Sequence, residues 1–496
     1  MTQNQMIMLG ILVIYLVANA AIGLMASKQA DKASSMNFEK KYFIGSRGMS
    51  GFVLAMTTVA TYTSVSSFIS GPGAAGLTYG FSQAWIAGVQ IGAAFLTLGV
   101  LGKKFAIVSR KTGAVTVAGY LKARYKSDAL VVITTVLMLV FFVTQMIAQF
   151  IGGATLIGSV TGLPYWAALA IFALVVIIYT AFGGFTAVVI TDTIQGVVML
   201  IGTFLFIFYV LKNIGSFEAM SLTLDTTLPG WNNLTGTGYT PGALLSFWVL
   251  VGVGVLGLPQ TAVRGMGFKD TKSLHNAMLI GTIVVGVLMI GMHTAGVWAG
   301  ALTGGQEFAS TDYFIPAIVQ QIMPVGAAGL FLAAPMAAVM STVSSLLILA
   351  SASIVKDLWG TYIVKDDPVK QEKFNKNLSK FSLIITLLLG LLVFVLTLTP
   401  PDIIFFINLF AMGGLESCFF WPIVGGIFYK KGNSKAAIAS TLTGVTVYVI
   451  SYYFKITVLG INAVVWGILF GGIAYFLVGQ MTCKNGLDQD VLDKCF

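Results

Sequence analysis

Long apolar runs recur from one end of the chain to the other, separated by short polar loops. They lie at approximately 6–27, 49–71, 79–102, 129–157, 165–182, 187–211, 242–263, 273–301, 320–355, 378–398, 403–429, 435–454 and 457–480. Most approach the roughly 20 residues that a helix needs to cross a hydrocarbon core about 30 Å thick. The pattern predicts an all-α integral membrane protein with about thirteen transmembrane helices. The run at 320–355 is longer than a bilayer requires, which predicts tilt or an extension into the water phase.

One run has a different texture. Gly51–Ala75, GFVLAMTTVATYTSVSSFISGPGAA, carries no charge, yet its middle holds Thr57, Thr58, Thr61, Tyr62, Thr63, Ser64, Ser66, Ser67 and Ser70. Helix propensity is poor where Thr, Ser and Val dominate. Irregular backbone at membrane depth survives only where it is buried in protein or lines a cavity. The stretch predicts a discontinuous helix whose freed carbonyls and hydroxyls bind an ion and a solute. The competing reading is an intact helix packed through Ser/Thr hydrogen bonds.

Composition sharpens the class. Of 496 residues, 57% are hydrophobic and only 9% charged, against about 25% charged in soluble domains. Cys418 lies in an apolar run and Cys483 and Cys495 in the terminal segment, with neither a disulfide framework nor a metal-binding spacing. The amino end MTQNQM has no positive charge, and Lys28 and Lys32 follow the first apolar run. Ala18-Asn19-Ala20 resembles a cleavage site, but this charge order favours an uncleaved span with its amino end outside.

Alternating from there, the inner segments are 28–48, 102–128, 183–186, 264–272, 356–377, 430–434 and the tail from 481 to 496. With their flanks they hold 26 of the 28 Lys and Arg residues, leaving only Lys212 and Lys455 outside. The net charge of +10 is therefore a positive-inside signature rather than a nucleic-acid patch.

Parity adds a fold. After a first span and loop (1–48), spans two to six (49–212) and seven to eleven (242–430) form two groups of five, followed by two further spans (431–480). An odd group inverts the next, so the expectation is a five-plus-five inverted repeat. The first helix of each repeat should then be broken. The second group opens with SFWVLVGVGVLGLPQ, where Gly252, Gly254, Gly257 and Pro259 make a weak helix at the matching place.

Few ionisable groups fall inside the spans. Asp192, Glu416 and His293 do, and intramembrane charges are costly enough to be read first as functional. Each also has a bland reading: a solvated Asp192, a protonated Glu416, a packing His293. In AAPMAAVMSTVSS, Ala338, Ser341 and Thr342 stand at i, i+3 and i+4 and share a helix face. Their oxygens, with carbonyls of an unwound partner, would suit sodium; small-residue helix packing is the alternative. No phosphate loop, metal cluster or nucleophile–base pair is present, so the chain reads as neither an enzyme nor an ATP-driven pump, and no cofactor is expected beyond sodium as a coupling ion.

At these residues the chain resembles the sodium:solute symporter family. The marks are SGPGAAG, YTAFGGFTAVVITDTIQG, GLPQTAVRGMGFKD and AAPMAAVMSTVSS, with YKKGNSKAAIASTLTG resembling a further signature in which Ala436-Ala437 replaces the usual Gly-Ala. The resemblance implies a LeuT-like core in a bacterial plasma membrane. It implies a sodium site of Ala60, Thr63, Ala338, Ser341 and Thr342, and an ion-release role for Asp192. Relatives that carry proline have an aspartate where Tyr62 stands, a departure that disfavours proline and suits an anion. Ser64, Ser66, Ser67, Gln149 and His293 are the candidate solute-binding residues. With no Lys or Arg deep in any span, half-helix amino ends are left to hold a carboxylate. The expected partners are sodium, a small organic solute and lipid, without an obligate protein partner. A substrate sensor and a channel are the alternative classes.

Overall fold

The computed structural model describes residues 2–33, 48–304, 306–364, 368–400, 404–483 and 487–496. The YFIGSR motif at 42–47 and five of the counted basic residues, Lys40, Lys41, Arg47, Lys365 and Lys484, lie outside them. The described residues are helical, apart from loops and one isolated parallel bridge between Met49 and Phe268. That bridge ties the entry of the first broken helix to the exit of the second.

The helices are α1 (Gln3–Ala33), α2 (Gly51–Tyr62), α3 (Ser66–Tyr79), α4 (Phe81–Thr112), α5 (Asp128–Thr161), α6 (Tyr165–Asn213), α7 (Pro241–Gly257), α8 (Pro259–Met266) and α9 (Thr271–Ala299). They continue with α10 (Val325–Ala352), α11 (Pro368–Thr397), α12 (Ile404–Phe428), α13 (Ser434–Tyr453), α14 (Ala463–Thr482) and the short α15 (Gln489–Cys495). Among the described residues ten helices are long and apolar enough to cross a membrane, and the pairs α2–α3 and α7–α8, bent by 74° and 51°, bring the number to twelve.

The thirteenth crossing hides in α6. Its 49 residues would extend about 74 Å, more than twice the hydrocarbon thickness. At Gly184 the backbone leaves helical geometry (φ 64°, ψ −171°), a conformation for which glycine is the natural residue. Both ends of α6 lie beside the Thr311–Ile322 helix. Gln320 donates to the Ser159 carbonyl just ahead of α6, at 3.4 Å, and Asn213 at its far end donates to the Ile322 carbonyl, at 3.5 Å. The chain thus turns back at Gly184, where the sequence places a loop between two spans.

Two boundaries differ from the expectation. The run at 320–355 is not one helix: Thr311–Ile322 ends inside it, α10 starts at Val325, and a π-helical segment continues from Ser353 to Val364. The last span starts at Ala463 rather than 457, after a short 3-10 turn. Described parts of the basic loops meet one another. Arg110 donates to the Phe268 carbonyl (2.7 Å), Lys126 pairs with Asp488 (2.8 Å), and Tyr362 reaches Asp128 (3.1 Å). At the centre stands α10: 94% of its most apolar window is buried by other helices.

Candidate ion and solute site

Both breaks have the same form. Thr63, which ends α2, has φ −78° and ψ 119°, and Leu258, between α7 and α8, has φ −82° and ψ 116°. An extended residue stands in each break, at matching places in the two groups of spans. Pro259 cannot donate to a helix continuing from α7, which accounts for the second break. At the first, Gln149 of α5 takes the place of the lost helical bond: its Oε1 accepts from the Val65 amide at 3.1 Å.

The central helix α10 packs its polar face against the first break. Ser341 Oγ lies 2.9 Å from the Ala60 carbonyl and 3.0 Å from the Ala338 carbonyl. Thr342 Oγ1 lies 3.2 Å from the Thr63 carbonyl and 3.0 Å from the Ala338 carbonyl. All five residues named from the sequence therefore meet in one buried cluster of neutral oxygens. Here each hydroxyl donates to the carbonyls. A hard monovalent cation between them would receive three carbonyl and two hydroxyl lone pairs, the ligand chemistry suited to such an ion.

Asp192 is also buried, but it is not the lone carboxylate that the sequence suggests. Arg264 Nη2 donates to its Oδ2 at 2.9 Å, and Thr57 Oγ1 donates to the same oxygen at 2.9 Å. Arg264 further reaches Ser345 Oγ at 2.6 Å and Thr61 Oγ1 at 3.2 Å, and its guanidinium lies over the Phe185 ring. The expectation that no Lys or Arg lies deep in any span did not foresee Arg264, which follows the apolar run 242–263 yet is buried among the helices. Arg264 follows a short apolar run, so charge counting assigns it to a loop. The α8 helix after the break instead turns it inward, joining α2, α6 and α10 just beyond the oxygen cluster.

A cavity opens on the other side of the break, lined by Ser64, Ser66, Ser67 and His293 together with Tyr62, Gln83, Gln90 and Asn408. Among the described residues its wall carries no Lys, Arg, Asp or Glu. His293 Nδ1 lies 2.8 Å from the Met289 carbonyl; a carbonyl only accepts, so Nδ1 carries hydrogen, and in a neutral ring Nε2 is then the acceptor. A Cβ at Gly71 would overlap that Nε2, which places His293 directly against α3. Gln149 stands behind the wall rather than in it, bonded to Val65 and, through Nε2, to Asn408 Oδ1 at 3.3 Å. Tyr62 is tied to Thr97 and to the Ala93 carbonyl. Asn408, Gln83 and Gln90 carried no periodic signal and escape a reading of the sequence. Glu416 lies apart from the oxygen cluster, against α7.

Two helices broken at matching depth, an oxygen cluster at one break and a polar cavity beside it define a carrier that couples a cation to a solute. A sequence model of the sodium:solute symporter family matches residues 42–444. The chain is 43% identical to the sodium/pantothenate symporter of Haemophilus influenzae, over 93% of this chain and 94% of the relative. It is also 43% identical to the sodium/pantothenate symporter of Escherichia coli, over 95% of each. The solved structure of a sodium-coupled sialic acid symporter shares its fold, with a TM-score of 0.77 over 97% of this chain and 98% of that one, at 20% identity. The chain belongs to the sodium:solute symporter family.

Proposed function

We propose that the protein is a sodium-coupled symporter that imports pantothenate by alternating access. The observation that carries the coupling is the meeting of Ala60, Thr63, Ala338, Ser341 and Thr342 at the first break; the 43% identity over nearly the whole chain carries the substrate. Sodium takes the five oxygens and orders α2 against α10. The solute binds in the cavity at Ser64, Ser66, Ser67 and His293. One peptide bond separates the ion ligand Thr63 from the solute residue Ser64, so each site biases the same backbone.

Electrostatics favour joint occupancy. Arg264 and Asp192 cancel one another, and the cavity wall is uncharged. Sodium alone would leave a net positive charge in a region of low dielectric, and an anion alone a net negative one. A sodium and a carboxylate about 8 Å apart attract by roughly 2 kcal/mol at an effective dielectric of about 20. Half-helix amino ends and hydroxyls, not a fixed cation, orient the carboxylate. The orientation follows from the charge pattern: amino end outside, carboxyl end cytoplasmic.

Labelled pantothenate uptake into proteoliposomes tests the reading. Uptake should require an inward sodium gradient, saturate, and exceed the equilibrium concentration. In a competitor panel, pantothenate should displace the label while proline and other small acids do not. Downhill flux without accumulation would indicate a channel, and binding without flux a sensor.

A further inference from the structure

Glu416, in the middle of α12, takes no part in the ion or solute site. Its side chain is fully buried, and among the described residues neither carboxyl oxygen has a hydrogen-bond partner. It lies against the second broken helix, just above the break. A Cβ at Gly254 would overlap Glu416 Oε2 and come within 2.9 Å of the Val249 carbonyl oxygen. A Cβ at Gly257, one turn further, would lie 2.9 Å from the Phe420 backbone. The two glycines thus let the α7 backbone approach α12 closely, with the carboxyl group enclosed between them.

A charge so enclosed needs a counter-charge, and among the described residues none pairs with it. The groups that feel its charge are the Tyr62 hydroxyl from α2 and the Tyr448 hydroxyl from α13; the Cys418 thiol of its own helix acts on Tyr448 rather than on Glu416. Tyr452 stands beyond Tyr448. The α7 segment VLVGVGVLG has no titratable side chain. Facing α12, α5 presents Phe141 at Gly414. Tyr475 of α14 and Arg124 of the Val117–Tyr125 helix contact α12 near its far end, at Gly425 and Gly426. Beside the carboxyl at Gly254 stands the Val249 carbonyl. That carbonyl accepts from the Gly254 amide and keeps a second lone pair, to which a carboxyl O–H can donate.

We propose that Glu416 is a proton-binding site whose proton must be bound for the broken helix α7–α8 to pack against α12 as it does here. Binding joins one proton to one carboxylate oxygen. When the helices separate, water reaches the group and the proton leaves to solvent. The transporter then carries, besides its sodium site, a proton site in the second repeat that sets how readily the packed conformation forms.

The test compares wild type with Glu416→Gln, which is permanently neutral. Thermal unfolding of the purified protein and sodium-driven pantothenate uptake are both measured from pH 6 to pH 9. Wild type should lose melting temperature and uptake as pH rises, with uptake at the alkaline end approaching a tenfold fall per pH unit, as expected for one required proton. The Gln variant should show neither pH response. Parallel pH curves for the two proteins overturn the proposal. So does a folded Gln variant that fails to transport at pH 6, where wild type transports. If the Gln variant does not accumulate, Glu416→Met, which is neutral and suits an apolar site, takes its place; failure of both to fold also overturns the proposal. The uptake arm rests on the transport reading, whereas the melting curves decide the proton site even if no uptake is seen.

Discussion

Arg264 Nη2 and Asp192 Oδ2 meet at 2.9 Å in the interior, with essentially no exposure of either side chain. They join the half-helix after the second break to the sixth crossing, and Thr57, Thr61 and Ser345 complete the network. Breaking a buried pair from one side strands a charge, which typically costs about 3–5 kcal/mol. Asp192→Asn should therefore lower the melting temperature clearly and slow uptake. Arg264→Gln combined with Asp192→Asn should recover part of the lost stability, since the stranded charge is gone. A double variant no more stable than the single would mean that the pair is not the unit that matters.

The sequence carried the fold further than the site. Apolar run length and the placement of Lys and Arg yielded the crossings, including the turn at Gly184 that a continuous helix obscures. The two breaks were legible because Thr, Ser, Gly and Pro weaken helices whatever surrounds them. Ala338, Ser341 and Thr342 share a helix face by spacing alone, but their meeting with Ala60 and Thr63 was expected from family resemblance. Arg264 shows the limit. A basic residue six positions after a break reads as loop by charge counting, and only the inward course of α8 buries it. Gln149 is a candidate solute residue in the sequence, yet its role as a cap for Val65 depends on the packing of two distant helices.

That cap gives a second prediction. Gln149→Met keeps the volume and removes the acceptor for the Val65 amide. An unmet buried amide costs about 1–3 kcal/mol. Because Val65 stands between the cavity residues Ser64 and Ser66, the half-saturating pantothenate concentration should rise by about five- to a hundred-and-fifty-fold, and that for sodium by less. An equal rise in both constants would show that Gln149 supports the whole break rather than the solute half of it.

Stoichiometry is a third. One oxygen cluster implies one sodium per solute. Pantothenate is a monoanion near neutral pH, since carboxyl groups titrate near pH 4. One-to-one transport is then electroneutral. Pantothenate added to proteoliposomes at saturating sodium should produce no current, and imposed voltage should leave accumulation unchanged. A second sodium would add about 2.3 kcal/mol per 100 mV and give a readily measured inward current.

The most specific expectation concerns Thr342. Its hydroxyl touches the Thr63 and Ala338 carbonyls, at 3.2 and 3.0 Å, so it stands where the two halves of the oxygen cluster join. Ala at this position removes one ligand and leaves the helix intact, because Ala is the better helix former. Losing a buried polar contact costs about 1–3 kcal/mol, or about five- to a hundred-and-fifty-fold in affinity. That loss should fall on sodium: the half-saturating sodium concentration rises, and high sodium restores much of the uptake. Ser341→Ala should behave alike, as Ser341 bonds the Ala60 and Ala338 carbonyls. Val at 342 separates ligation from packing, because it fills the volume of Thr without the oxygen. Thr342→Val should therefore resemble Thr342→Ala in sodium dependence. A Val variant with normal sodium dependence beside a failing Ala variant would mean that the side chain only fills space, and would remove α10 from the sodium site.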